Sequence, residues 1–440
     1  MKNNKLLLWS LTVALSGFLF GLDTAVISGA EQTIQKLWNL DDVTHGIAVS
    51  IALYGTVIGA MFGGFFADKL GRKKSLFWVG LFFCISALGS ALAQDVYIFM
   101  VFRLIGGLCI GASSVVSPLY ISEIAPPKKR GFLVALFQFN IVFGILIAYV
   151  SNYLLQSNNS SNDWRWMLGI VAIPSIIFTF LTFLISESPR WLVLKKGDNE
   201  AARKVLNEID PSAAEETLAS IVQSKSNAAG KKRHSFFSGK YSWPILLAFL
   251  IAFFNQVSGI NAIIYYAPRI FEMTGLGKSA SLLSTAGIGL TNLVFTMIGL
   301  SLIDRFGRKL LMYIGSVGYI VSLSLIALAF YRESYGGMSI FIFMFIASHA
   351  IGQGAVIWVF IGEIFPNEVR ASGQSFGSFT HWIFAAIIAN IFPVMAGRYG
   401  GTPIFIFFAA MMVLQLLYVR FMMPETKGVA LEDMEKKLGH

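Results

Sequence analysis

Charge is scarce in this chain. Asp, Glu, Lys and Arg make up 13% of its residues, about half of the roughly 25% usual in soluble globular domains. Hydrophobic types reach 55% and mean hydropathy is +0.67, so a water-soluble globule is excluded. Cysteine is scarcer still. Cys84 and Cys109 both fall inside apolar runs, say nothing about redox compartment and read as packing residues. No cluster of His and Cys has metal-ligand spacing, no nucleophile stands beside a base, and no nucleotide-binding loop occurs. An enzyme is therefore the least supported class, and no metal or other cofactor is implied. The glycines of GIGL at 287–290 belong to an apolar run, not to a phosphate cradle.

What the chain has instead is long apolar runs. Twelve can cross about 30 Å of hydrocarbon: 6–30, 44–67, 75–93, 97–119, 131–155, 164–185, 243–267, 280–303, 309–330, 338–361, 371–395 and 402–422. The first has Lys2 and Lys5 ahead of it, as a signal peptide would, but it is too long and no small-residue cleavage site follows, so it reads as a retained first helix. Three charged signatures occur twice. DKLGRKK at 68–74 returns as DRFGRK at 304–309, SEIAPPKKRG at 122–131 as GEIFPNEVRA at 362–371, and SESPR at 186–190 as PETKG at 424–428. The three offsets, 236, 240 and 238 residues, agree closely enough to mean a duplicated six-span unit. Duplicated membrane units are how many secondary transporters are built.

The cations orient the spans. With the N-terminus inside, twenty-six of the 34 Lys and Arg fall in cytoplasmic segments and six on the other side. Both termini are therefore expected in the cytoplasm, and the net charge of +10 reflects topology and lipid headgroups, not a nucleic-acid partner. The chain divides into 1–186, a six-helix bundle; 187–240, a cytoplasmic linker of short amphipathic helices; and 241–440, a second bundle with a short tail. In the second run Gly55, Gly59 and Gly63 recur every four residues, and Gly107 and Gly111 do so in the fourth, which predicts close helix contact.

Two ionisable residues stand well inside apolar runs: Asp23 in the first and Arg103 in the fourth. An unpaired charge near the middle of a span costs about 2.5 to 3.5 kcal/mol on insertion scales, so the two are expected to pair. Such a pair is what proton coupling needs, and equally what a permanent structural salt bridge would be. At the cytoplasmic ends, the repeated motifs supply acids and bases: Asp68, Arg72, Glu123, Arg130, Glu187 and Arg190 in the first half, Asp304, Arg308, Glu363, Arg370 and Glu425 in the second. The expectation is a gate, with acid and base on neighbouring helix ends forming ion pairs that join the two bundles.

Together DKLGRKK, SPLYISEIAPPKKRG, SESPRWLV, NQVSGINAIIYYAP, DRFGRK, GEIFPNEVRA and PETKG make the chain resemble the sugar porter family of the major facilitator superfamily over nearly its whole length. The resemblance implies an all-α membrane protein of twelve transmembrane helices in two six-helix bundles. It also implies a sugar site opened alternately to either side. It places sugar contacts at Phe20, Gln138, Gln256, Asn261, Asn292 and Trp358. Amides that both donate and accept suit vicinal hydroxyls, and an aromatic face suits the C–H side of a pyranose. Departures bear on substrate. Asn255 replaces the first glutamine of a common pair, His381 stands where Asn or Gln is usual beside a retained Trp382, and His349 stands where a cavity aromatic is common. Carrying an acid and an arginine at the positions of Asp23 and Arg103 resembles the bacterial proton symporters. The implied protein is a monosaccharide importer of the bacterial cytoplasmic membrane, with the proton as co-substrate, working as a monomer in the bilayer. A facilitative uniporter and a non-transporting sugar sensor are the alternatives.

Overall fold

The computed structural model describes residues 4–156, 162–228, 236–237, 239–366, 368–429 and 434. No strand occurs among them. Twelve helices are long and apolar enough to cross a membrane: Lys5–Leu37, Asp42–Leu70, Arg72–Leu92, Val96–Ile124, Lys129–Leu155, Asp163–Leu184, Ser242–Glu272, Lys278–Phe306, Arg308–Tyr331, Met338–Ile364, Arg370–Tyr399 and Gly401–Phe421. Each apolar run of the sequence is one of these spans. The first differs most in length, running on to Leu37, so that Glu31 and Gln35 are helical residues. The face at which the sixth span ends is called the linker face below.

Besides the sixth, built of Asp163–Gly169 and Ala172–Leu181 with a 3-10 turn at Thr182–Leu184, two spans are interrupted. The seventh consists of Ser242–Val257 and Ile260–Glu272, parted at Gly259, whose φ of +87° is a left-handed backbone that glycine adopts without penalty. The tenth carries a π-helical turn at Ala350–Gly354. Both breaks sit in apolar text and both adjoin buried polar side chains, the pattern expected where a membrane helix must hold a ligand-sized polar group.

The chain clusters into two compact units. One is Met1–Asp23, Gly55–Ile145 and Leu168–Arg233; the other is Thr24–Tyr54, Leu146–Met167 and His234–His440. In the first, the glycine stripe does what its spacing predicts. A Cβ on Gly59 would stand 2.2 Å from the Leu108 carbonyl oxygen, and one on Gly111 2.2 Å from that of Thr56, so the second and fourth spans touch backbone to backbone. The linker helices Asn199–Ile209 and Ala214–Ala228 bury Val193, Ala202, Leu206, Ala214 and Leu218 in a small cluster of their own. In the second unit the Tyr149 hydroxyl donates to the Ile264 carbonyl at 2.9 Å, and Asn152 Nδ2 to that of Val26 at 3.1 Å.

Candidate functional site

Asp23 and Arg103 meet as expected. Arg103 Nη1 donates to Asp23 Oδ1 at 2.8 Å and Nη2 to the Asp23 carbonyl oxygen at 3.2 Å, with both side chains buried. The pair is only half satisfied. Asp23 Oδ2 and Arg103 Nε are buried without a hydrogen-bond partner among the described residues. A Cβ on Gly106 would come 3.4 Å from Oδ2, so glycine in the fourth span leaves the carboxylate's bare side uncrowded. A bare buried acceptor costs about 1 to 3 kcal/mol. Because the bond from Arg103 occupies Oδ1, a further donor or a proton would meet the carboxylate at Oδ2.

The seventh-span break gathers the amides. Asn261 Nδ2 donates to Gln256 Oε1 at 2.5 Å, and Gln256 Nε2 to Asn255 Oδ1 at 2.8 Å, with the His381 ring nitrogens 3.2 Å away. Gln256 and Asn255 stand at the end of the first helical piece and Asn261 at the start of the second, so the turn at Gly259 folds Asn261 back onto Gln256. The His381 ring lies 4.9 Å from that of Trp358 and 4.7 Å from that of Trp382. Trp358 is exposed where most of its neighbours are buried, presenting an aromatic surface beside the amides. Two other residues implied by the resemblance bond within the second unit. Asn292 accepts from Thr296 within its own helix at 3.4 Å, and His349 Nδ1 bonds the Tyr319 hydroxyl at 2.5 Å. Phe20 is buried and Gln138 half-buried, both in the first unit.

The charged motifs at the linker face form ion pairs inside each repeat. Glu123 takes Arg72, in a two-pronged pair of 2.9 Å bonds, and Glu363 takes Arg308 at 2.8 and 3.0 Å. Asp68 and Asp304 add bridges to the same arginines at 3.1 and 3.2 Å. Each cluster closes within its own repeat. The reason is local: Gly71 and Gly307 turn the chain at φ +95° and +89°, so Arg72 and Arg308 start the next helix pointing back at the carboxylates. Arg130 and Arg190 are exposed and form no ion pair among the described residues, and Arg370 donates Nε to the Phe365 carbonyl at 3.3 Å. Glu187 and Glu425 serve as caps: Glu187 accepts from the Arg72 amide at 2.8 Å and Glu425 from those of Arg308 and Lys309 at 3.0 and 2.9 Å.

One charged cluster is absent from the sequence reading. Glu31, fully buried, accepts from Arg269 Nε and Nη2 at 3.0 and 2.7 Å and lies 2.7 Å from His45 Nε2. Gln35 Oε1 accepts from the same guanidinium at 2.5 Å and its amide donates to Asp42 at 3.2 Å. The first, second and seventh spans are thus bonded at the ends away from the linker face. The signal that could have found it is Glu31 and His45 standing at the edges of apolar runs.

Residues 9–438 match the model of the family described as sugar (and other) transporters. The arabinose-proton symporter of Bacillus subtilis is 38% identical over 98% of this chain and 94% of its own length. The D-xylose transporter of Levilactobacillus brevis is 37% identical, over 97% and 94%. The inward-open structure of the xylose transporter XylE from E. coli superposes with a TM-score of 0.86 at 31% identity, covering 97% of this chain and 98% of that one. A twelve-span helical fold with a half-satisfied buried acid–arginine pair and an amide cluster at a broken helix is that of a secondary transporter of the major facilitator superfamily. The chain belongs to the sugar transporter family.

Proposed function

We propose that the chain imports a monosaccharide together with a proton across the bacterial cytoplasmic membrane, working as a monomer with both termini inside. In this reading 1–186 and 241–440 are the halves that alternate, joined by the linker 187–240. The observation that carries it is Asp23, a buried carboxylate whose Oδ1 is held by Arg103 and whose Oδ2 has no hydrogen-bond partner among the described residues. A permanently structural bridge gains nothing from a bare oxygen; a proton site needs one. The names of the relatives, an arabinose-proton symporter and a D-xylose transporter, support both the sugar and the coupling. The amides of Gln256 and Asn261 beside the Trp358 ring suit pentoses and hexoses alike. A proton moving inward supplies about 2.3 kcal/mol per 100 mV, enough for roughly fifty-fold accumulation.

The test is uptake of labelled sugars into reconstituted vesicles, with and without an imposed pH gradient. Accumulation is expected only with the gradient. Asp23→Asn is expected to abolish accumulation while sugar exchange at equal concentrations continues. A variant that still accumulates sugar removes Asp23 from the role, and a wild type indifferent to the gradient makes the chain a uniporter.

A further inference from the structure

Behind the amide cluster runs a longer chain of hydrogen bonds, and all of them point the same way. Asn261 donates to Gln256, Gln256 to Asn255, and Asn255 Nδ2 donates to Gln353 Oε1 at 3.3 Å. Gln353 Nε2 then donates to Gln415 Oε1 at 2.5 Å, and Gln415 Nε2 to Ser316 Oγ at 2.8 Å. The Ser316 hydroxyl closes the sequence on the Met312 carbonyl at 2.7 Å. Five amides and a hydroxyl from the seventh, tenth, twelfth and ninth spans form one head-to-tail relay.

Its direction is fixed at the far end. The Met312 carbonyl can only accept, and Ser316 gives it its single O–H at 2.7 Å, which leaves an oxygen lone pair for Gln415. Gln415 must then turn its NH₂ toward Ser316 and its oxygen toward Gln353, and the same choice is forced on every amide back to Asn261. Reversing one amide would set donor against donor on one side and acceptor against acceptor on the other. Gln256, Gln353, Gln415 and Ser316 are all 0% exposed, so solvent is not there to heal a mismatch. Gln353 joins the relay from the π-helical turn at Ala350–Gly354, which links the break in the tenth span to the amides at the break in the seventh.

We infer that Gln353 and Gln415 are positioning residues that set the donor and acceptor sense of Gln256 and Asn261, and so the hydroxyl pattern this site accepts. The inference rests on the sugar-site reading above. In the state described, Gln256 spends its oxygen on Asn261 and directs its amide hydrogens to Asn255 and His381, which leaves Asn261 Oδ1 as the acceptor at the open end of the relay. Without the relay, Gln256 is free to flip. A flipped Gln256 would offer its NH₂ where an acceptor now stands, and an equatorial and an axial hydroxyl would be told apart differently.

The experiment is equilibrium binding of labelled sugars to the purified full-length protein, using arabinose, xylose, glucose and galactose, which include epimers differing at one hydroxyl. The quantity read is the ratio of Kd values within each epimer pair. Gln415→Leu is expected to change at least one ratio five-fold or more. Gln415→Glu, whose buried neutral acid accepts from Gln353 and donates to Ser316 through its O–H, is expected to restore the wild-type ratio. In a Gln256→Ala background, Gln415→Leu is expected to leave every ratio unmoved, because the group it acts through is gone. Gln353→Met breaks the neighbouring link and serves the same test if Gln415→Leu does not fold. Ratios unchanged in the folded variant, with all affinities lowered together, would overturn the inference and leave Gln415 a packing residue. Equal ratio changes with and without Gln256 would overturn it as well. A wild type that binds none of the four sugars instead overturns the sugar reading on which it stands.

Discussion

Glu31 shows what one buried charge requires of its neighbours. It has no exposed surface, and both carboxylate oxygens are taken by the Arg269 guanidinium in a fork-to-fork pair, the strongest geometry available to two charged side chains. Removing one member of such a pair strands the other, at a cost of about 3 to 5 kcal/mol when both are fully buried. Arg269 keeps some access to solvent and retains Gln35, so the lower end of that range is expected for Glu31→Gln. Thermal unfolding in detergent measures it. Arg269→Gln and the double variant complete a cycle in which the double loss falls short of the summed single losses by about 1 kcal/mol or more. Simple additivity would mean that the pair is not coupled. The contrast with Asp23 explains why one acid was legible in the sequence and the other was not. Asp23 interrupts a long apolar run, where any charge asks for a partner, and a single arginine in a comparable run answers it. Glu31 sits where the run gives out, and its partner is 238 residues away in the chain, so composition alone reads it as the start of a loop. Which arginine meets which acid at the linker face, Arg72 with Glu123 and Arg308 with Glu363, was left open by the motifs for a related reason. The motifs offer two arginines to each acid, and a glycine at positive φ decides between them by aiming Arg72 and Arg308 at the carboxylates.

At the scale of elements, the third and ninth spans start in the same unusual way. Each begins after a glycine that has no side chain to cap it, and each is capped from more than a hundred residues away, by Glu187 and by Glu425. The two caps are not electrostatic equals. Burial pushes the Glu187 carboxyl above its ordinary value, although amides of Ser188, Arg72 and Lys73 donate to it. Burial pushes Glu425 the same way, but amide donors from Lys427, Lys309, Arg308 and Thr426 outweigh it and hold that carboxyl low. Ionised Glu425 therefore stabilises the fold above the ordinary value of 4.5, and that contribution is lost as pH falls through its lowered pKa. Glu187 contributes in the opposite sense, below 4.5, and its contribution is lost as pH rises through its raised pKa. At pH 7 Glu425→Gln is expected to lower the unfolding midpoint, while Glu187→Gln leaves it unchanged or raises it. Equal losses from the two would refute the asymmetry. The repeat itself was plain in the sequence, since paired motifs at near-constant offset survive divergence. The breaks in the seventh and tenth spans were not, because hydropathy averages over them: Gly259 and the turn at Ala350–Gly354 leave the apolar content of their runs unchanged.

For the whole molecule, the decisive asymmetry is where the cations lie. Twelve spans return the chain to the face it left, so every loop is assigned to one side or the other once a single loop is. The twenty-six cations of one set of loops against six of the other should hold that choice firmly, because carrying Lys and Arg across the bilayer is costly and those near span ends count most. The linker helix Asn199–Ile209 and the turn between the ninth and tenth spans then face opposite compartments. The chain is well suited to testing this, since its two native cysteines lie within spans, one buried and one half-buried. A cysteine at exposed Ser334 is expected to react with a membrane-impermeant maleimide in intact cells, and one at exposed Lys204 only after permeabilisation. The reverse pattern would invert the topology, and with it the side from which the proposed carrier takes its sugar: one driven by inward proton flow must meet its sugar first on the side that Ser334 faces.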